Sequence, residues 1–147
     1  MARYSLAGNK DSTSVLQIIG TNNTITLPRR QKIYDYMVGN SQAPADAVFV
    51  HELLRATADG TSANPTPEPL DPADQASLFV GNDTITVDAA GTVIVMTVAL
   101  NHRATYRWVA APGSEIVVAA TDNLGIYGRV DAATTDTFGA TMLIEEQ

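Results

Sequence analysis

Cysteine is absent from this 147-residue chain, which excludes a disulfide framework and thiol chemistry and leaves the redox compartment open. Histidine occurs only as His51 and His102. No Cys or His stands at ligand spacing from either, and the acids show no EF-hand pattern, so no metal site is expected. Long apolar runs are missing as well. The longest, Val93 to Leu100, is broken by Thr97 and is far too short to span a bilayer. The opening residues, MARYSLAGNKDSTS, lack the charged-then-apolar layout of a signal peptide, which predicts a soluble chain with no membrane partner. Positive charge is scarce: nine Lys and Arg stand against sixteen Asp and Glu, a net charge of −7. A nucleic-acid partner is therefore not expected, because phosphate contacts by Lys and Arg dominate such binding. Between Arg55 and Arg103 there is no Lys or Arg, while Asp59, Glu68, Asp71, Asp74, Asp83 and Asp88 accumulate. That stretch suits a basic partner surface.

Reaction-specific motifs are missing too. There is no G-x-S-x-G elbow and no G-x-x-x-x-G-K-[ST] loop, and Gly20, Gly39, Gly60, Gly81 and Gly91 stand singly. Sixteen acids make some pair of carboxylates inevitable, so a pair by itself does not indicate glycoside hydrolysis. His51 and Glu52 are neighbours on an expected strand and point to opposite faces, and His102 reads as a turn or rim residue. The sequence thus predicts neither catalytic residues nor a cofactor. Arg29-Arg30-Gln31-Lys32 follows Pro28 and reads as a solvated corner. The sequons at Asn22-Asn-Thr24 and Asn82-Asp-Thr84 read as chance matches without a signal peptide.

What is present is a period of two. Ala104, Tyr106, Trp108 and Ala110 share one face of an expected strand over 103–110, with Arg103, Thr105 and Arg107 on the other. Tyr106 and Trp108 are the expected core anchors. The arginines are left for carboxylates of a partner or of the chain's own acidic segment. Residues 92–100 are apolar on both faces, as in a strand covered on both sides. Further strands are expected at Ser14–Ile19, Lys32–Val38, Ala47–Leu54, Asp83–Val87, Ile116–Ala119, Gly125–Val130 and Ala140–Glu145. Turn signals separate them at Gly20–Asn23, Gly39–Ser41, Gly81–Asp83, Ala90-Gly91 and Asp122-Asn123. Gly20-Thr-Asn-Asn-Thr-Ile-Thr-Leu27 nearly repeats Gly81-Asn-Asp-Thr-Ile-Thr-Val87, read as two turns that each launch a strand. Many short strands in about one domain predict an all-β sandwich or jelly roll. Residues 1–13 would form an N-terminal arm or first strand, and 14–147 a single sandwich domain.

Four of the seven prolines, Pro65, Pro67, Pro69 and Pro72, fall in an expected extended loop over 56–76. Asp71-Pro72-Ala73-Asp74 reads as a helix start, with one helical turn through Ser77. The loop is either a solvated crossover between sheets or an arm on a neighbouring subunit. In the second case Pro65, Pro67, Pro69 and Asp71 join Arg103 and Arg107 as candidate partner contacts.

Several stretches in order give the chain a family likeness: YSLAG, YDYMVGNSQAPADAVFVHELLRATADGT, PLDPADQAS, NHRATYRWVAAPGSEIVV and a closing MLIEEQ. Together they resemble the capsid cement or decoration proteins of tailed bacteriophages. The resemblance implies a β-sandwich on the outer surface of the virion head that binds the major capsid protein and stabilises the shell. It implies no catalytic residues. A dimer or trimer would follow from closed symmetry. Two other readings stay open, a tail or baseplate component and a carbohydrate-binding module.

Overall fold

The computed structural model describes residues 1–12, 16–23, 28–42, 46–56, 65–83, 93–120, 125–132 and 136–147. Among these residues eleven strands form in order: β1 (Ala2–Ser12), β2 (Leu16–Asn22), β3 (Gln31–Asn40), β4 (Val48–Ala56), β5 (Glu68–Pro69), β6 (Val80–Asp83), β7 (Val93–Asn101), β8 (Tyr106–Val109), β9 (Ile116–Val118), β10 (Gly125–Ala132) and β11 (Asp136–Glu146). Two antiparallel sheets result. The first runs β5-β1-β11-β3-β8, with β9 also paired to β3, and the second runs β6-β2-β10-β4-β7. They pack face to face as a β-sandwich, the expected fold class. Residues 2–12 are the first strand and not a free arm: β1 pairs with β11 along its whole length, from Ala2↔Glu146 to Ser12↔Asp136.

The core lies between the sheets. Tyr4, Leu6, Ile33, Tyr36, Val38, Phe138, Met142 and Ile144 from the first sheet meet Ile18, Ile19, Phe49, Leu53, Ile126 and Val130 from the second. Alternation sorts most of these residues, and β-bulges in β2, β3 and β7 shift it locally. The extra residues are Ile18 on β2, Tyr34 on β3 and Val95 on β7. A bulge resets which parity faces inward. Ile18 and Ile19 are consequently both buried, and Ile33 and Tyr36 both point into the core three positions apart.

Several expectations are corrected. Residues 93–101 do not form a strand covered on both faces. β7 is the edge of the second sheet, and Val93, Ile94 and Val95 are 62%, 53% and 39% exposed. Continuous apolar sequence marks burial only when neighbours exist on both sides, and among the described residues β7 pairs with β4 alone. Gly20–Asn22 and Gly81–Asp83 are strand, not turn, and the two near-repeats lie side by side with Gly20↔Asn82 and Thr21↔Gly81. Gly20 is needed for space: a Cβ there would fall 2.2 Å from Cδ1 of Tyr127. Gly39 and Asn40 likewise extend β3.

No helix occurs among the described residues. At Asp71 the expected cap forms a single turn, in which Asp74 N–H donates to the Asp71 carbonyl at 2.9 Å and Ala73 N–H to Asp71 Oδ1 at 2.9 Å. It does not propagate, because the next backbone groups are taken elsewhere. Tyr4 Oη donates to the Gln75 carbonyl at 3.0 Å, and Leu78 N–H donates to Glu146 Oε1 at 3.0 Å. Most of the strand expected at Asp83–Val87, the turns at Ala90-Gly91 and Asp122-Asn123, and loop residues 57–64 lie outside the described residues.

Candidate functional site

The outer face of the first sheet gathers the groups best placed to meet a partner. Cross-strand pairs share a face, so the register fixes its composition. Arg3↔Glu145↔Lys32 form one row, Ser5↔Leu143↔Asp35↔Val109 a second, and Ala7↔Thr141↔Met37↔Arg107 a third. The bulge adds Tyr34 to the same side, where the Arg3 guanidinium lies 5.5 Å from its ring centroid. Beneath the face, Trp108 stands opposite Tyr36 and Tyr106 opposite Val38. Both are half-buried and pack against the core from the sheet edge. Tyr106 Oη also reaches Met96 Sδ at 3.6 Å, placing β8 over β7.

Two of the cations on this face, Arg107 and Arg3, are paired within the chain. Arg107 holds Asp35 in a bidentate contact, Nε–Oδ1 3.1 Å and Nη2–Oδ2 2.5 Å. The hydrogen bonds from Arg107 to Asp35, and then the Asp35 charge, raise the guanidinium pKa above its ordinary value. Arg3 Nε lies 3.5 Å from Glu145 Oε2. Apolar groups fill the gaps, with Val109 57% and Met37 41% exposed. Two shallow depressions mark the face. One, about 200 Å³, is lined by Asp35, Met37, Arg107, Thr141 and Leu143. The other, about 210 Å³, includes Arg3, Lys32, Tyr34, Pro112 and Glu115. Next to it, Ser114 N–H bonds the Ala111 carbonyl and Gly113 takes φ +83°, closing the turn that joins β8 to β9. Glu115 sits low in pKa because its own and the Gly113 backbone N–H groups bond its carboxylate.

The other expected contact residues are scattered. Arg103 does not share a strand face with Arg107. It lies in the β7–β8 turn, where Arg103 N–H donates to Asn101 Oδ1 at 2.9 Å. Pro65, Pro67, Pro69 and Asp71 sit at the opposite edge of the first sheet. Glu68 and Pro69 pair with Ser5 and Tyr4, and Leu70 N–H donates to the Arg3 carbonyl at 2.8 Å. Pro67 is buried and Pro65 half-buried, so this segment lies along the chain's own β1, with Asp71 exposed. A proline at a sheet edge costs no ladder hydrogen bond. His102 does occupy a turn, but a buried one: its Nδ1 lies 2.7 Å from Asp136 Oδ2, between the rings of Phe49 and Phe138.

Met37, Asp35, Tyr34 and Val109 were not among the expected contacts. Val109 had a signal, since alternation sets it on the arginine side of β8, and Asp35 stood out as one acid within Lys-Ile-Tyr-Asp-Tyr-Met-Val. Tyr34 had none, because its side is set by the bulge. Comparison with protein families, curated proteins and solved structures finds no match to this chain.

Proposed function

We propose that this chain is a cement or decoration protein of a tailed-phage virion, without catalytic activity, that binds the major capsid protein on the outer surface of the head shell and stabilises it. The observation that carries the reading is the outer face of the first sheet, where exposed Met37 and Val109 stand among guanidinium–carboxylate pairs satisfied within the chain. Covering such a face removes apolar surface from water while Arg107 and Arg3 keep their carboxylates, and an unpaired charge is the costly thing to bury in an interface. The ordered resemblance in sequence supports the same reading. A shell offers many copies of one site, so an oligomer of this chain would hold on through several modest contacts at once.

The test is sedimentation of the purified chain with assembled capsids, with free major capsid protein and with tails. The expected result is co-pelleting with capsids, little binding to unassembled capsid protein, and a loss of capsid affinity of about tenfold or more for Val109→Glu. Partition to tails, or capsid binding that Val109→Glu leaves unchanged, would overturn the proposal.

A further inference from the structure

We infer that β7 is a self-complementary edge on which a second copy of this chain docks, antiparallel, β7 against β7 about a twofold axis. An edge strand presents unpaired backbone N–H and C=O groups and is a template for another strand. The usual protections, lysine and proline, are missing from Val-Ile-Val-Met-Thr-Val-Ala-Leu-Asn, and its one bulge, at Val95, leaves Met96–Asn101 regular.

Charge selects the occupant. Across a twofold axis a strand meets its own residues, so any charge near the axis faces its like, which destabilises the pair. A different partner could answer such a charge; a second copy cannot. Among the other strands at sheet edges, β5 carries Glu68, β6 carries Asp83 and β8 carries Arg107, while β9 is uncharged but only three residues long. β7 is uncharged over nine residues in a chain of net charge −7. The nearest charges on β4 are already engaged. Glu52, opposite Thr97, accepts from Arg129 Nε at 2.9 Å, and Arg55, opposite Val93, donates to the Val117 carbonyl at 3.1 Å.

The regular stretch sets the register. Thr97, Ala99 and Asn101 pair with the outward side of β4, whereas Met96, Val98 and Leu100 pair with buried Leu53, His51 and Phe49 and are half-buried. Opposed residues must share a face. An axis at Val98 sets Met96 against Leu100 of the copy and Thr97 against Ala99. The copy then covers the half-exposed edge of the core, and the two second sheets continue as one.

The experiment is the solution mass of the purified chain across the micromolar range, by sedimentation equilibrium, for the wild type and two charged variants. Thr97→Lys with Ala99→Lys sets ammonium groups face to face across the axis, and Thr97→Glu with Ala99→Glu sets carboxylates face to face. All four substitutions lie on exposed, outward positions. The expected result is a wild-type dimer, two folded monomeric variants and a restored dimer on mixing them. A wild type that is monomeric throughout or of trimer mass, a charged variant that keeps the dimer mass, or variants that stay apart when mixed would each overturn the inference. Should a variant fail to fold, amide hydrogen exchange of the wild type decides: protection over residues 96–100 must rise with protein concentration, and a concentration-independent rate sinks it. The outcome is independent of shell binding, which is read by capsid pelleting.

Discussion

The imidazole of His51 lies flat on the ring of Tyr36, with centroids 5.2 Å apart and planes 11° from parallel, joining the two sheets at the centre of the sandwich. Both residues are fully buried. Burial lowers the His51 pKa from 6.5 to about 4, and burial raises the Tyr36 hydroxyl well above its ordinary value. The folded state therefore holds His51 neutral where the unfolded chain takes up a proton. Its contribution is complete above pH 6.5 and is lost as pH falls towards 4, by roughly 3 kcal/mol in all. Urea midpoints measured between pH 4 and 7 should fall with acidity in the wild type and fall less steeply in His51→Phe.

Gly128 faces the same ring. A Cβ there would lie 2.5 Å from Tyr36 Oη and 3.1 Å from Ile19 Cγ2. Gly128→Ala should destabilise the fold by about 1–3 kcal/mol, the range for overpacking a core. At Gly113 space is open and only the positive φ resists a side chain, so Gly113→Ala should cost about 1–2 kcal/mol through backbone strain alone. Chemical denaturation of the two variants, with core packing read by aromatic circular dichroism, separates the cases: only the first should perturb the core.

Asp35 is almost wholly buried, whereas its partner Arg107 is 60% exposed. Arg107→Ala should lower the melting temperature, because it leaves a desolvated carboxylate unpaired. Adding Asp35→Asn should recover part of that loss. A double variant less stable than Arg107→Ala alone would show that the pair contributes in some other way.

Tyr4 ties the segment around Asp71 to the sheet through Gln75, and its ring meets Phe79 edge-on at 5.5 Å between centroids. Tyr4→Phe keeps the ring and removes the hydroxyl, so global stability should fall by about 1 kcal/mol. Hydrogen exchange should quicken at residues 74–78 ahead of the rest of the first sheet.

The strands of this fold were largely visible in the alternation of apolar and polar residues. Tyr106 and Trp108 on one side of β8, with Arg107 on the other, follow directly from a period of two. Three kinds of feature left no such trace. Bulges change the facing parity without changing composition, which hid the role of Tyr34. Edge position depends on which strands find neighbours, so the apolar run of β7 could not be told from an interior strand. Glycines at positions 20 and 81 suggested turns, yet each makes room for a side chain arriving from elsewhere, Tyr127 and Leu6. The candidate interface was legible only in part, because Asp35 and Met37 meet Arg107 through long-range pairing between β3 and β8.

The placement of β11 has a consequence for synthesis. Of the strands described it comes last in chain order, yet it lies between β1, the first, and β3. While the chain is emerging, β1 and β3 have no common neighbour, and their exposed flanks must stay soluble until residues 136–146 leave the ribosome. Contacts that distant in sequence form slowly. Ribosome-bound chains stalled before residue 136 should thus remain protease-sensitive throughout the first sheet.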